Sequence, residues 1–579
     1  MAIAVDEPPT AARSVHRSGR RGAAAPGAAT GAGAEDTAGA AEVCCRPIVR
    51  RAAALALAFA ACGSPLPQAT DAPRPGHEPR LVVLLVIDQW PEWSFEAKRP
   101  ALTGGFDRLL REGEWRIGRH PSAATITAAS HALLGTGEPP SRSGILGNEW
   151  WHRDLERALR AIEAEDGTTT TKWLRVPGLG DAIAAARTGG QAVSVSLKDR
   201  AAILPLGHTG TAVWYDARRA AWISPAAPAW LAAWNADHPI AAHAHDVWTP
   251  LPETARLAGV PDDAPGEIGI MGLGPTFPHA LDTTPNPANT IYATPLGSEL
   301  VLDVATAAID GAQLGADARP DLLVVSLSAH DYIGHGWGHE SWEAWDATLR
   351  LDRRLAQFLA DLDRKVGVGR WALIATSDHG ASPMPESVGG GRISFAQIKD
   401  AANRAAIAEL GPGDWIAAAR YPTVYLSRAA LAQKPRDLAI AMTKIVYALR
   451  SFPGIARVEK TAELWGHCET RTGDARAICL ALDPERSGEI IYLPAPGWVL
   501  QDASEPLATG HGSLQPYDVL VPVILLPPDR TPHAALAVPT ATFDMAQVAP
   551  VLARWLGVPP PSTLPRPPAP PAAPAPPQP

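Results

Sequence analysis

Cysteine is scarce in this sequence. The 579 residues include five cysteines, and no two of them are spaced as Cys-x-x-Cys, so a zinc ribbon is not indicated. Cys468 and Cys479 bracket a short polar loop and can pair in an oxidising compartment, or they can remain as two unpaired thiols. The sequence leaves both states open.

An excess of basic residues is also missing. The formal net charge is −9 at pH 7, whereas a nucleic-acid-binding surface is basic, so no nucleic-acid partner is expected. The hydrophobic content of 46% and the charged content of 19% are typical of a globular core. The length allows one large domain with insertions or several small ones, and the oligomeric state stays open.

The apolar run at residues 52–61 is too short to span a bilayer. It follows Arg50-Arg51 and leads into Phe59-Ala60-Ala61-Cys62, which is typical of a bacterial secretion signal that ends in a lipoprotein box. Residues 49–62 therefore predict an exported protein, in the periplasm or anchored through Cys62 as an outer-membrane or cell-surface lipoprotein. The alternative is cleavage by the ordinary signal peptidase, which leaves a soluble periplasmic protein.

The two ends of the chain lack the material for a core. Residues 1–48 are rich in Ala, Gly and Arg and are predicted to be a disordered extension or to follow from an upstream start site. Residues 63–79 are rich in Pro and predict a tether. Residues 557–579 are mostly Pro and Ala and predict a disordered tail.

Between these ends, residues 80–556 predict an α/β fold with a mostly parallel central sheet flanked by helices. Several apolar runs end just before polar residues, as expected when buried parallel strands lead into an active site. The runs are Leu81 to Ile87 before Asp88, Val193 to Leu197 before Lys198, Leu322 to Leu327 before Asp331, and Trp371 to Thr376 before Asp378.

Three further segments have a less regular pattern. Residues 205–300 predict a loop-rich cap, and residues 396–500 predict an α+β insertion. Val519 to Leu526 predicts another strand, in which Pro522 indicates an edge position or a bulge.

Two kinds of residue carry the candidate chemistry. Thr127 lies where a loop is predicted to turn into a helix and is a candidate nucleophile, with Thr125 as its competitor. Three Asp and three His form the ligand complement of a two-metal hydrolase that uses zinc or other divalent cations. These residues are Asp88, Asp331, His335, Asp378, His379 and His511. His131, one turn after Thr127, is predicted to pack or support rather than to bind metal.

These motifs resemble, in the same order along the chain, those of the alkaline phosphatase superfamily. They are Val86-Ile87-Asp88, the Thr127 segment, Gly147-Asn148, Asp331-Tyr332-Ile333-Gly334-His335, Ser377-Asp378-His379-Gly380 and His511-Gly512. The resemblance is nearest to bacterial alkaline phosphatases with a Thr nucleophile, the PafA-like group, and its most specific element is Ser196-Leu197-Lys198-Asp199-Arg200.

The resemblance implies a fold and a set of residue roles. Asp331, His335 and His511 would bind one zinc, and Asp88, Asp378 and His379 would bind the other, with Thr127 bridging toward it. Thr127 is preferred over Thr125 because it lies 21 residues before Asn148, which is the spacing of the Thr-using relatives.

Lys198, Arg200 and Asn148 indicate the reaction. A Lys and an Arg two apart on an extended segment would both reach the oxygens of a phosphate dianion, unless they form a solvated turn. The sequence therefore predicts a hydrolase of small phosphate monoesters that acts through a phospho-Thr intermediate. The alternative is a phosphodiesterase or nucleotide pyrophosphatase with the same metals. A less favoured alternative is a catalytically silent envelope-binding lipoprotein.

Overall fold

Strand β1 (Leu81–Ile87) is buried along its whole length and lies near the centre of the fold. The computed structural model describes residues 69–530, 532–533 and 537–566. The remaining strands of this part of the chain are β2 (Glu114–Arg119), β3 (Glu149–His152), β4 (Arg157–Arg160), β5 (Ala192–Ser196), β6 (Thr211–Asp216), β7 (Ala221–Ile223), β8 (Val247–Trp248), β9 (His279–Ala280), β10 (Asp321–Leu327), β11 (Trp371–Thr376), β12 (Gly391–Ser394), β13 (Ile416–Arg420), β14 (Thr423–Leu426), β15 (Ile455–Lys460), β16 (Ile490–Pro494), β17 (Trp498–Gln501), β18 (Leu520–Leu526) and β19 (Thr542–Asp544).

Helices separate most of these strands. They are α1 (Glu92–Lys98), α2 (Gly105–Glu112), α3 (Thr127–Thr136), α4 (Pro140–Ser143), α5 (Leu179–Ala186), α6 (Asp199–Ile203), α7 (Ala229–Asp237), α8 (Thr254–Ala258), α9 (Pro287–Thr290), α10 (Pro295–Gly311), α11 (Ala329–Trp337), α12 (Trp342–Lys365), α13 (Pro385–Val388), α14 (Phe395–Leu410), α15 (Arg428–Leu431), α16 (Pro435–Arg450), α17 (Gly473–Ala481), α18 (Pro516–Val519) and α19 (Val548–Leu556). No helix in the described ranges is both long and apolar enough to cross a membrane.

The main sheet has the strand order β19-β2-β18-β11-β1-β10-β5-β6-β7. Strands β11, β1, β10, β5 and β6 run parallel to one another, so the predicted α/β fold with a mostly parallel central sheet is confirmed. Because successive side chains of a strand face opposite sides, Leu81, Val83 and Leu85 enter one core and Val82 and Leu84 enter the other. Helices α2, α10 and α12 cover the first face, and α3, α5 and α19 cover the second.

Pro522 lies inside the sheet, so the predicted edge position or bulge is wrong. Strand β18 pairs with β2 on one side and with β11 on the other, and neither register shifts. The ladder to β11 stops at Ile524, and the Pro522 carbonyl accepts a hydrogen bond from Thr376 Oγ1 at 2.9 Å. A proline is tolerated here because no strand bond requires its missing N–H.

The predicted cap at 205–300 is wrong at both of its ends. Strands β6 and β7 belong to the main sheet, and α10 packs on that sheet. These short strands bury three aromatic side chains, Trp214, Tyr215 and Trp222. Because the segment is rich in Trp, its sequence did not show the alternation typical of a strand. Within the 396–500 segment, a separate sheet of order β13-β14-β16-β15 packs on α14 and α16.

The described parts of both predicted flexible ends contact the folded core. Trp555 Nε1 donates to the Asp71 carbonyl at 3.2 Å, and Ala69 packs on the core, so residues 69–71 do not form a free tether. At the other end, Leu564 packs on the same core, within the predicted tail. The extension at 1–48, the signal and lipoprotein segment with Cys62, and residues 567–579 lie outside the described residues.

Candidate active site

Parallel strand ends bring the predicted residues together. Asp88 follows β1, which lies between β10 and β11, and Asp331 lies in α11 just after β10. Asp378 and His379 follow β11, and Lys198 follows β5. Since the carboxyl ends of parallel strands meet at one edge of a sheet, these side chains converge there.

Helix α3 begins at Thr127, as the sequence predicts, after Ile126 in extended conformation. The Thr127 hydroxyl is buried and lies 3.5 Å from Lys198 Nζ. Thr125 faces elsewhere, since its Oγ1 donates to the Ser513 carbonyl at 3.3 Å. Thr127 is therefore the hydroxyl that faces the converging charges.

Two groups of side chains have ligand atoms within 4.8 Å of one another. One consists of Asp331, His335 and His511, and the other consists of Asp88, Asp331 and His379. Asp378 lies beside the second group, with Oδ2 3.4 Å from His379 Nε2. The structure thus brings together all six predicted ligands, and Asp331 contributes to both groups rather than to one.

Backbone carbonyls orient the three imidazoles. Each Nδ1 lies within hydrogen-bond distance of a carbonyl: His335 with Thr509 (2.8 Å), His379 with Gly380 (3.0 Å) and His511 with Thr125 (2.8 Å). Such a bond fixes the ring and leaves Nε2 as the ligand atom. Asp88 Oδ1, Asp378 Oδ2 and His379 Nε2 are buried without a hydrogen-bond partner in the described part of the chain. The donor set therefore fits divalent cations.

Lys198 is the cation closest to these carboxylates. Its Nζ donates to Asp88 Oδ2 and to Asp331 Oδ2, both at 2.6 Å. The segment is extended at Lys198, as predicted, but not at Arg200, because α6 begins at Asp199. Lys198 is also buried, which excludes a solvated turn.

Arg200 lies in the first turn of α6 and contacts Asn148. Arg200 Nε donates to Asn148 Oδ1 at 3.0 Å, and the backbone N of Ala128 donates to the same oxygen at 3.1 Å. Asn148 and Arg200 line a cavity of about 180 Å³ together with Glu149, Arg160, Ile162 and Asp199. A larger cavity of about 800 Å³ lies beside the Cys468–Cys479 disulfide and contains none of the predicted site residues.

Burial and neighbouring charges set the protonation of the site. Burial disfavours charge on Lys198, but the carboxylates of Asp331 and Asp88 outweigh it and raise the Lys198 pKa. Burial raises the pKa of Asp88 well above its usual value. Burial also lowers the pKa of His379 and, well below its usual value, that of His511, so both rings are kept as the neutral imidazoles that bind metals.

Sequence reasoning missed two residues beside the predicted ligands. Gln89 donates from Nε2 to Asp331 Oδ1 at 2.9 Å, and its only signal was its position directly after Asp88. His120 Nε2 lies 3.3 Å from the Ser377 carbonyl, and no motif pointed to it. His131, predicted to support, has its Nδ1 3.3 Å from Asp378 Oδ2.

Comparisons with known proteins agree with this geometry. Residues 82–514 match the family described as type I phosphodiesterase / nucleotide pyrophosphatase. Alkaline phosphatase PafA of Elizabethkingia meningoseptica is 31% identical over 487 residues, which are 77% of this chain and 87% of that protein. Alkaline phosphatase PhoV of Synechococcus elongatus is 34% identical over 336 residues, which are 54% of this chain and 61% of that protein.

Solved structures give the same result. The crystal structure of wild-type PafA matches with a TM-score of 0.73 at 28% identity, over 83% of this chain and 96% of that chain. The chain therefore belongs to the type I phosphodiesterase / nucleotide pyrophosphatase family of the alkaline phosphatase superfamily, and it is a hydrolase that acts on phosphate esters.

Proposed function

We propose that the protein hydrolyses small phosphate monoesters through a phospho-Thr127 intermediate, at a site that binds two zinc or other divalent ions. The observation that carries this proposal is the arrangement of Lys198, Arg200 and Asn148 around the hydroxyl at the start of α3. Lys198 Nζ lies 3.5 Å from Thr127 Oγ1. Arg200 Nε and the Ala128 amide of α3 both donate to Asn148 Oδ1.

Thr127 acts as the nucleophile in this proposal. Its hydroxyl gives up its proton to solvent and the oxygen forms a bond to phosphorus, while the bond from phosphorus to the ester oxygen breaks and the leaving alkoxide takes up a proton from solvent. Water then cleaves the phospho-Thr127 bond and releases phosphate. Thr127 is the first residue of α3, and the dipole at a helix N-terminus favours the anionic phosphoryl group. Thr125 is less suited because its hydroxyl already donates to Ser513.

Asp331, His335 and His511 would hold one divalent cation, and Asp88, Asp378 and His379 would hold the other. Bound divalent cations lower the pKa of a coordinated hydroxyl and neutralise charge on a phosphoryl group. The carbonyl bonds to the three Nδ1 atoms keep the rings directed at these positions.

The charge of the pocket favours a monoester over a diester. A monoester dianion carries one negative charge more than a diester, and Lys198 and Arg200 can both contact its oxygens. Lys198 is buried and the Arg200 side chain is 22% exposed, so both contacts form in a medium of lower dielectric than water, which strengthens them. The family also contains phosphodiesterases and nucleotide pyrophosphatases, so a diesterase is the second candidate.

The test compares p-nitrophenyl phosphate with its bis-ester, with and without chelator. We expect the monoester to be preferred, activity to disappear with chelator, and the Lys198→Ala/Arg200→Ala variant to lose monoester activity much more than diester activity. A matched control is Lys434→Ala/Arg436→Ala, an exposed pair of the same spacing. A diesterase preference in the wild type would favour the second candidate. Pure protein without bound metal and without activity would favour the silent lipoprotein.

We further propose that the protein is exported and anchored through Cys62. The Cys468–Cys479 disulfide supports an oxidising compartment. Metabolic labelling with a radioactive fatty acid should modify the wild type but not a Cys62→Ser variant. Labelling of neither, with the protein in the periplasmic fraction, would indicate soluble secretion.

A further inference from the structure

Gln89 contacts one carboxylate of each predicted metal-binding set. Its backbone N donates to Asp378 Oδ1 at 3.1 Å, and its side-chain Nε2 donates to Asp331 Oδ1 at 2.9 Å. Gln89 is fully buried and has a φ of 57°, a left-handed conformation that a non-glycine residue rarely adopts. This strained backbone directs both the amide N–H and the carboxamide of one residue at the site.

His339 sets the orientation of this carboxamide. A carboxylate only accepts hydrogen bonds, so the NH₂ group of Gln89 must face Asp331. The carboxamide oxygen then faces His339, whose Nε2 lies 2.9 Å away and donates to it. The donor direction thus runs from His339 through Gln89 to Asp331.

Neighbouring residues hold the hydrogen bonds from His339 to Gln89 and from Gln89 to Asp331 in place. Lys98 is buried and donates from Nζ to the His339 carbonyl at 2.7 Å, which fixes the backbone that carries the ring. A Cβ atom at Gly334 would lie 2.0 Å from Gln89 Oε1 and 2.8 Å from His339 Nε2. Position 334 must therefore be glycine to leave room for the Gln89 carboxamide.

We propose that Gln89 is a positioning residue for both metal-binding sets and that His339 fixes its carboxamide in the productive orientation. This inference rests on the proposed two-metal function. Without the His339 donor, the carboxamide can rotate and place its oxygen against Asp331, which removes the bond that holds that carboxylate. Since Asp331 belongs to both groups of ligand atoms, zinc affinity falls at both.

The test compares His339→Gln, which keeps an N–H donor at a similar reach, with His339→Met, which is of similar size and has no donor. Zinc affinity and stoichiometry are measured by competition with a chromophoric chelator. We expect His339→Met to bind zinc about 10–100-fold more weakly, whereas His339→Gln retains near wild-type affinity. The Gln89→Met variant should reproduce the loss.

Steady-state kinetics give a second readout. At saturating zinc, kcat for p-nitrophenyl phosphate should fall in His339→Met with little change in KM, because substrate contacts are intact. Thermal unfolding in chelator separates this effect from misfolding, and equal melting temperatures are expected for the three proteins. Equal zinc affinity in His339→Met and wild type, or equal losses in His339→Gln and His339→Met, would overturn the inference. If the wild type does not hydrolyse the monoester, the proposed function is refuted instead.

Discussion

Arg200 and Asn148 share one hydrogen bond, from Nε to Oδ1, at 3.0 Å. The same oxygen accepts from the Ala128 amide at 3.1 Å, so Asn148 links Arg200 to the first turn of α3. The positions of Arg200 and Asn148, both candidate phosphate contacts, therefore depend on each other. Removal of either partner should disturb the other.

The expected result is a strongly non-additive double-mutant cycle. Asn148→Ala and Arg200→Ala should each lower kcat/KM for p-nitrophenyl phosphate, and the double variant should lose less than the product of the two effects. Groups in direct contact typically show a coupling of about 0.5–3 kcal/mol. Effects that simply multiply would show that the two side chains act independently.

Thr127→Ala should abolish phosphoenzyme formation. Nucleophile removal in other hydrolases lowers kcat by orders of magnitude, and we expect at least about a 10³-fold loss here. Acid quenching after mixing with ³²P-labelled monoester measures the covalent intermediate. Thr125→Ala is the matched control and should still become labelled, although its backbone carbonyl contacts His511. Label in the Thr127→Ala protein would disprove this role.

The site was predictable where chemistry and strand ends coincide. Asp88, Asp331 and Asp378 each follow a buried apolar strand, so their meeting could be inferred from sequence. Gln89 could not be inferred, because its role depends on a left-handed backbone and on a histidine 250 residues away. A neutral amide also has no ligand pattern that would single it out.

The strands of the fold were likewise predictable only in part. Long continuous runs such as β1 and β10 were predicted, whereas β6 and β7 were hidden in a Trp- and Pro-rich segment. Pro522 indicated an edge because isolated sequence shows only the missing N–H. It does not show that the Pro522 carbonyl accepts a hydrogen bond from the Thr376 hydroxyl instead of from a strand amide.

Gly135→Ala should destabilise the packing of helix α3. A Cβ atom at this position would lie 2.2 Å from Pro205 Cα and 2.3 Å from its carbonyl oxygen, and neither backbone atom can move cheaply. We expect a loss of about 1–3 kcal/mol in the free energy of unfolding, measured with urea at fixed zinc concentration. Gly274→Ala is the control and should be neutral, because nothing lies within 4 Å of its Cβ.

Removal of the Cys468–Cys479 disulfide should lower stability and leave catalysis nearly intact. The bridge closes a loop with a sequence separation of 11, for which the chain-entropy model gives about 3 kcal/mol. The Cys468→Ser/Cys479→Ser variant and the reduced wild type should show similar losses in urea unfolding. A large fall in kcat at saturating zinc would mean that the bridge also shapes the site.

Stability should fall between about pH 5 and pH 9 because of Glu343. Burial raises the Glu343 pKa to about 9, and its Oε1 accepts from His279 Nε2 at 2.8 Å. The folded state therefore binds this proton more tightly than the unfolded state, so the stabilisation is complete at low pH and is lost as pH rises through about 9.

Glu343→Gln removes this titration and keeps an acceptor for His279. Its melting temperature should decline less than that of the wild type from pH 6 to pH 10, measured at fixed zinc concentration. The exposed Glu156→Gln variant is the control and should follow the wild type. Parallel curves for wild type and Glu343→Gln would contradict the assignment.

The predicted metal ligands that meet at the ends of β1, β10 and β11 come from positions 88 to 511 of the chain. None of the local segments carries a full set, and the last ligand, His511, precedes β18, which must insert between β2 and β11. We therefore expect the complete ligand set to form only after these strands have assembled. A cation that binds the native state and not the unfolded state would stabilise the native state by shifting the folding equilibrium toward it.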